Sequence, residues 1–245
     1  MTHLELIGVE GLPEVHPGDD LGELIGSRSK FEPGDVIVVA QKVVSKAEGR
    51  IVSLQTVEAS AEAMRIASKL IAGPDARMVQ VILDESVRVL RSERVLITET
   101  RHGFVCANGG VDHSNVPGED HVTLLPEDPD ASADRMQRRL RELTGVDVGV
   151  IVSDTFGRPW RLGIVNVALG VAGLPALLDL RGGLDDEGKP LHATVLAIAD
   201  DIAAAAGIVM GKTARTPAVI VRGLKLAGTG RGRELVRPAA EDLFR

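Results

Sequence analysis

Aromatic side chains are scarce in this sequence of 245 residues, which has no tyrosine, one tryptophan and four phenylalanines. Proteins that bind single-stranded nucleic acids stack the bases on aromatic rings inside a basic groove. This chain lacks the rings, and its 35 acidic residues outnumber its 28 basic ones to give a net charge of -7. The composition therefore argues against nucleic acid as a partner.

Cysteine and long apolar runs are also scarce. Cys106 is the only cysteine, so the chain forms neither an internal disulfide nor a cysteine-rich zinc site, which indicates a reducing compartment. Residues 1–8 lack the basic start and the apolar centre of a signal peptide. The longest apolar stretch, residues 193–210, is interrupted by Asp200 and Asp201 and is not expected to span a bilayer. We therefore expect a cytoplasmic protein without a membrane segment.

Apolar residues make up 44% of the chain and occur in short runs. The β-branched runs predict strands at residues 4–9, 35–40, 79–83, 94–98, 148–153 and 218–222. Alanine-rich segments predict helices at residues 57–71, 131–144 and 193–210. This alternation is too irregular for a doubly wound sheet, so we predict an α/β (α+β mixed) fold of mixed sheets with flanking helices, without a Rossmann or P-loop core. Residues 1–245 are treated as one unit, in which two intertwined lobes would meet near residues 117–130.

Two lysines follow the apolar run 35–40. Lys42 and Lys46 are four residues apart, so they share a face whether the segment is a helix or a strand. Two ammonium groups on one face repel each other unless an anion lies between them, and a polyphosphate is such an anion. The alternative is a solvated face on which Lys46 pairs with Glu48, and the residues alone lean toward this alternative.

The glycine-rich segment 106–115 delivers several oxygen-bearing side chains. Its two adjacent glycines permit a positive φ or a close backbone approach, and Asp112, Ser114 and Asn115 lie within four residues of one another. Hard oxygen ligands suit Mg²⁺ or Mn²⁺, which bind through one or two carboxylates and substrate phosphates. An Asx turn has the same composition, so this segment alone leaves both interpretations open.

Residues 153–161 form the strongest candidate site in the sequence. An apolar strand ends in a Ser-Asp-Thr triplet, so Asp154 and Thr155 leave the edge of a sheet, where ligand-binding groups often lie. Arg158 and Arg161 follow, and arginine can bind phosphate or carboxylate through two parallel hydrogen bonds. The alternative is a helix capped by the serine or the aspartate, which the nearby glycine and proline disfavour.

Two other segments resemble nucleotide-binding motifs but lack features that those motifs require. Residues 207–213 have a three-residue spacer where a Walker A loop needs four, and they end a predicted helix. Residues 228–232 lack the strand and helix that flank a dinucleotide-binding fingerprint.

The six histidines have no paired spacing, so we expect no zinc site. Two carboxylates, Asp112 and Asp154, together with Thr155 and scattered cations, therefore indicate metal-dependent phosphoryl chemistry.

The chain resembles the coenzyme F420:L-glutamate ligases over nearly its whole length. The similarity is carried by Gly-Leu-Pro from residue 11, residues 41–50, Gly-Val-Asp-His-Ser-Asn from residue 110, the run 153–161, and residues 179–182, 209–211 and 237–244. The most specific of these are Ser-Asp-Thr-Phe-Gly-Arg-Pro-Trp-Arg, from residue 153, and Ser-Lys-Ala-Glu-Gly-Arg, from residue 45.

The resemblance implies a GTP-dependent amide ligase with a family-specific mixed fold. GTP would phosphorylate the terminal carboxylate of the unglutamylated deazaflavin coenzyme precursor. The amine of L-glutamate would then attack this acyl phosphate to give an amide, GDP and phosphate, and later glutamates would be γ-linked. The resemblance further implies Mg²⁺ or Mn²⁺ at two sites, a monovalent cation such as K⁺, and a homodimer.

The resemblance also assigns residues to roles, by matched position. Lys46, Asp112 and Asp154 would be catalytic. The metal ligands would be Asp112, Asp154 and Thr155, with Thr155 on the second ion. The GTP site would be formed by Gly11, Leu12, Pro13, Glu14, Gln41, Lys42, Lys46, Asn115, Met210, Gly211 and Lys212.

Three positions depart from the family pattern. Gly207 stands where members often carry glutamate, and Leu162 where a polar residue is common. Lys212 stands where some members place an oxygen-bearing side chain that helps to bind metal, which a protonated lysine cannot do. Two alternatives therefore stay open: a related GTP-dependent ligase for a different acid acceptor, and a non-catalytic nucleotide-binding module.

Overall fold

The structure is a computed structural model that describes residues 3–114, 116, 118, 120–212 and 214–242. Its strands are β1 (Glu5–Gly8), β2 (Val36–Ala40), β3 (Ile51–Ser53), β4 (Ser86–Glu93), β5 (Val95–Thr100), β6 (Val105–Ala107), β7 (His121–Thr123), β8 (Gly149–Arg158), β9 (Arg161–Ala172), β10 (Leu178–Asp179), β11 (Val195–Leu196) and β12 (Ala218–Arg222). Its α-helices are α1 (Leu21–Gly26), α2 (Gln41–Ala47), α3 (Ala61–Ala67), α4 (Ala76–Asp84), α5 (Pro129–Thr144) and α6 (Ile198–Met210).

The main sheet has the strand order β1-β12-β2-β8-β9. Strands β2 and β8 are parallel, with Val36 opposite Gly149 and Ala40 opposite Ser153, and the other neighbours are antiparallel. Residues 36–39 are all buried because α1, α2 and α5 pack on one face of the sheet and α6 packs on the other. This mixed sheet with flanking helices confirms the fold class predicted from the sequence.

Local sequence features explain the two long helices, α5 and α6. The Asp128 carboxylate accepts a hydrogen bond from the Ala131 N–H at the start of α5, and Gly145, with φ 71°, ends the helix. Helix α6 presents alanines to the sheet, and Ala203 and Ala206 are fully buried there. No helix in the described ranges is both long and apolar enough to cross a membrane.

A smaller lobe, residues 52–124, has its own hydrophobic cluster. Helices α3 and α4 pack with the β4-β5-β6 sheet and the β3-β7 pair, and Ile66, Val79, Ile82 and Leu96 are buried among them. Leu124 is the last residue of this cluster. The chain then returns to the main sheet through α5.

Three of the predicted elements need correction. Residues 79–83 are not a strand but part of α4, because Asp75 caps the helix start and Val79 and Ile82, one turn apart, both face the core. The helix predicted at 57–71 is confined to Ala61–Ala67, with Ser60 as its cap. The helix predicted from residue 193 begins at Ile198, after the short strand β11.

Strands β8 and β9 continue beyond the main sheet as a two-stranded hairpin, which we call the arm (residues 154–167). Its pairing runs from Asp154 opposite Val167 to Arg158 opposite Arg161. The strand predicted to end at residue 153 is therefore five residues longer. The helical alternative for residues 153–161 is wrong, because the segment forms this ladder.

Candidate functional site

Strand β2 ends beside the point where β8 leaves the main sheet, because these two strands are parallel neighbours. Ala40 is paired with Ser153, so helix α2, which begins at Gln41, and Asp154 leave the same edge of the sheet. Ligand-binding groups collect at this edge in parallel α/β sheets. The lysine segment and the Ser-Asp-Thr segment are thereby brought together.

Asp112 reaches this edge from the smaller lobe. It follows a turn in which Gly109 (φ 58°) and Gly110 (φ 72°) are left-handed. Its carboxylate lies 2.7 Å from Lys42 Nζ and accepts a hydrogen bond from the Ser114 N–H at 2.8 Å. Burial disfavours the charged form, but Lys42 and Ser114 outweigh burial and hold the pKa of Asp112 below its ordinary value. The Asx turn that the sequence left open is thus formed, and its carboxylate faces a cation.

Asp154 lies at the start of the arm, close to several charged side chains. Burial raises the pKa of its carboxyl to about 6, and the negative charge of Asp112 contributes in the same direction. The Thr155 N–H, Lys212 and Lys42 act in the opposite direction. Asp112 and Asp154 therefore belong to one electrostatic cluster, in which two carboxylates alternate with two ammonium groups.

The end of α6 supplies the second of these ammonium groups. The helix ends at Met210, and Gly211, with φ 55°, turns the chain back toward β8. Lys212 Nζ donates a hydrogen bond of 2.8 Å to Thr155 Oγ1. Met210 is buried, and its sulfur accepts a contact of 3.7 Å from Asn166 Nδ2. The 210–212 turn is therefore part of the site.

Lys46 forms a second cationic position, one turn along α2 from Lys42. Its side chain is 8% exposed, and its Nζ lies 2.5 Å from Glu14 Oε1. The hydrogen bond from Lys46 holds the pKa of Glu14 below its ordinary value despite partial burial. The pairing of Lys46 with Glu48 that the sequence favoured is wrong, since Glu48 binds Arg135 on α5 instead.

Other residues that were predicted for the nucleotide site lie around the Lys46–Glu14 pair. The segment that ends in Glu14 begins at Gly11 (φ 70°), whose carbonyl accepts a hydrogen bond of 2.9 Å from Arg28 Nε. Leu12 packs against the main core, Pro13 is exposed, and Gln41 is buried with its Oε1 bound to Ser45 Oγ at 2.8 Å. Asn115 lies outside the described residues.

Other predicted residues lie farther away. Arg158 is four residues beyond Asp154 on β8, about 13 Å along the strand, and Arg161 follows the turn at the tip of the arm. Leu162 is fully exposed on the same arm. A cavity of about 460 Å³ between α1, α2 and α5 is lined by none of the carboxylates or lysines of the site.

Sequence reasoning missed two residues that the structure brings to the site. Arg215, with the left-handed φ of 53°, exerts its positive charge on Glu14, and nothing in its sequence context indicates this. Asn166 connects Ser153 Oγ, at 3.3 Å, to Met210, and it is a polar residue within the apolar strand β9, which is a signal that could have been used. A Cβ on Gly207 would lie 2.7 Å from Asn166 Oδ1, so a larger residue at this position would require the Asn166 side chain to move.

Comparisons with known proteins agree on one family. Residues 11–223 match the model of the family described as F420-0:Gamma-glutamyl ligase. The chain is 48% identical over 255 residues to the coenzyme F420:L-glutamate ligase of Methanopyrus kandleri, with all of both chains covered. It is 46% identical to the proteins of the same name from Methanothermobacter thermautotrophicus, with 99% of each chain covered, and from Archaeoglobus fulgidus, with 99% of this chain and 96% of the relative covered.

Proposed function

The chain belongs to the F420-0:Gamma-glutamyl ligase family, and from this premise we propose that it joins L-glutamate to the deazaflavin coenzyme F420 precursor at the expense of GTP. The observation that carries the proposal is the cluster at the edge of β2 and β8. There Asp112 and Asp154 face Lys42 and Lys212, and Lys46 lies one helical turn away. Such a cluster suits the transfer of a phosphoryl group between two anions.

The cations supply the binding energy for a nucleoside triphosphate. Lys42, Lys46 and Lys212 converge on one edge of the sheet, and Arg215 adds charge beside Glu14. The net charge of the chain is -7, so long-range attraction cannot recruit an anionic nucleotide, and these local cations must do so. Asp112 and Glu14 hold Lys42 and Lys46 in place for the phosphates.

A divalent ion is the second part of the proposal, and the donor set fits Mg²⁺ or Mn²⁺. Asp112, in the Asx turn of the smaller lobe, and Asp154, on β8, offer hard oxygen ligands, and the described ranges contain no cluster of three or more His, Cys, Asp or Glu. Mg²⁺ commonly binds through only one or two carboxylates, and substrate phosphates complete its coordination. Such an ion neutralises charge on the transferring phosphoryl group. We propose K⁺ as an auxiliary cation from the resemblance alone.

The proposed reaction has two steps that the chain's own side chains can support. The γ-phosphoryl group of GTP passes to a carboxylate oxygen of the acceptor, and GDP leaves. The nitrogen of glutamate then bonds to the carbonyl carbon while the bond from that carbon to the phosphate oxygen breaks, and the amine proton is released. The lysines hold the phosphates and lower the repulsion between the two anionic reactants.

The protonation state of Cys106, the only cysteine, is consistent with direct attack by the amine of glutamate. Cys106 is buried on β6, near Asp154, and burial raises the pKa of its thiol to about 12, with the charge of Asp154 adding to the effect. A protonated thiol is a poor nucleophile. The cysteine therefore does not provide a covalent intermediate, and an acyl phosphate satisfies the chemistry without one.

The test is a reconstituted reaction with the full chain, GTP, Mg²⁺ or Mn²⁺, L-glutamate and the deazaflavin precursor. We expect GDP release only when acceptor and glutamate are both present, with a product heavier by whole glutamyl units in the mass spectrum. GDP release with a different acid acceptor alone would instead identify a related ligase. Tight GTP binding without turnover for any acceptor would contradict the proposal and favour a nucleotide-binding module.

We also propose that two copies associate through the arm, in agreement with the homodimer that the resemblance implies. Leu162 is fully exposed and Ile164 is 58% exposed on this projecting hairpin, and grouped exposed apolar side chains mark contact surfaces. Sedimentation equilibrium is expected to give twice the chain mass of 25.9 kDa. The variant Leu162→Asp should sediment as a monomer, whereas Ile71→Asp, at a 70% exposed position in the smaller lobe, should not change the mass. A monomeric wild type would contradict this proposal.

A further inference from the structure

The α6 side of the site contains a cation that belongs to the chain itself. Lys212 Nζ is bound to Thr155 Oγ1 at 2.8 Å, and its charge acts on the adjacent Asp154. The turn at Gly211 directs the lysine to this position immediately after the end of α6. The ammonium group therefore occupies the surroundings of the Thr155 hydroxyl.

The charges of the site are already matched by its own lysines. Asp112 is paired with Lys42 at 2.7 Å, and Asp154 is accompanied by Lys212. Two carboxylates and two ammonium groups sum to zero before any ligand binds. One divalent ion makes this cluster positive and suits it to nucleotide phosphates, whereas a second ion would meet the ammonium group of Lys212 beside Thr155.

A divalent ion and an ammonium group compete for the same hydroxyl. A hydroxyl oxygen has two lone pairs, and Lys212 already uses one of those on Thr155. An ion bound to the other would lie within a few ångströms of a like charge in a partly buried site, where repulsion is strong. Lysine offers no oxygen with which to complete the coordination of that ion.

We propose that Lys212 takes the position of a second divalent ion beside Thr155, so that this chain works with one divalent ion and one lysine ammonium group. The inference rests on the proposed function only in taking Asp112 and Asp154 as the ion site. It revises the expectation of two ions that the family resemblance implies. The ammonium group of Lys212 then provides positive charge for the transferred phosphoryl group.

The number of ions can be counted without an activity assay. Equilibrium dialysis of the full chain against Mn²⁺ and GDP measures bound manganese and bound GDP separately. We expect one Mn²⁺ per chain for the wild type and two for Lys212→Glu, which replaces the ammonium group with a carboxylate next to Thr155. Adding Thr155→Val to Lys212→Glu should return the count to one. The control Lys225→Gln, an exposed lysine beyond the far end of β12, should keep one ion.

The manganese and GDP counts test the role of Lys212 separately from the Asp112–Asp154 ion site. Two ions in the wild type, or one in Lys212→Glu, would overturn the assignment of Lys212 while leaving the Asp112–Asp154 site intact. No manganese in the wild type with GDP bound would overturn the ion site itself, and the inference would fall with it. GDP bound by both proteins with counts of one and two supports the inference.

Discussion

Replacing Asp154 with asparagine is expected to lower the rate of GDP release by about 1,000-fold, the order of effect when one electrostatic partner of a transferring group is lost. The carboxylate lies beside Thr155 where β8 leaves the main sheet, and it faces Asp112 across the site. Asparagine keeps an oxygen that can accept the Thr155 N–H but has no charge to hold a divalent ion. Steady-state GDP release measured with acceptor and glutamate checks this.

The same substitution should leave the fold intact, which separates a functional effect from a structural one. Burial raises the pKa of Asp154 to about 6, so the folded chain disfavours its charged form, and a neutral amide of the same shape removes that cost. The urea midpoint of Asp154→Asn should therefore equal or exceed that of the wild type. The control Asp147→Asn, an exposed residue before the start of β8, should leave both measurements unchanged. Full activity of Asp154→Asn would rule out its assignment as an ion ligand.

The raised pKa of Asp154 predicts that the affinity for a divalent ion depends on pH. Its carboxyl is ionised above a pH of about 6 and protonated below it, and a metal ion must displace that proton. The affinity for Mn²⁺ should therefore fall about tenfold for each pH unit below 6. The pKa of Asp112 lies below its ordinary value, so Asp112 does not titrate in this range. The dependence should disappear in Asp154→Asn.

The strands that form the site were predictable, whereas their adjacency was not. The apolar runs at 35–40 and 148–153 predict two strands, and both are present as β2 and β8. Nothing in either run indicates that they are parallel neighbours, because the whole smaller lobe and α5 lie between them in the sequence. Only that pairing places Lys42 and Asp154 at one edge.

Local periodicity failed where a cap or a neighbouring element decides the structure. Residues 79–83 are rich in β-branched and apolar side chains, but the cap at Asp75 and the packing of α3 make them helical. The preference for pairing Lys46 with Glu48 failed for a geometric reason. Residues two apart do not face each other on a helix, so Glu48 turns to Arg135 on α5 and leaves Lys46 to Glu14. That contact joins positions 32 residues apart, and spacing gives no sign of it.

Replacing Lys46 with methionine is expected to lower kcat/KM for GTP by about 100- to 1,000-fold, because it removes a nearly buried cation that we propose binds the phosphates. Methionine fills a similar volume, and replacing a buried ion-pair member by an apolar side chain of similar size need not destabilise a protein when the partner stays hydrated. Glu14 is half exposed and regains water once the lysine is gone. The urea midpoint should therefore change little, and the exposed control Lys69→Met should match the wild type in both measurements.

A double-variant cycle shows whether Glu14 acts on the nucleotide directly or through Lys46. If the carboxylate only holds the lysine in place at 2.5 Å, Glu14→Gln should alter kcat/KM in the wild type but have no further effect in Lys46→Met, because the interaction it serves is already absent. Additive losses would instead assign Glu14 its own contact with the substrate. A wild-type value of kcat/KM in Lys46→Met would remove the lysine from the reaction altogether and leave phosphate binding to Lys42, Lys212 and Arg215.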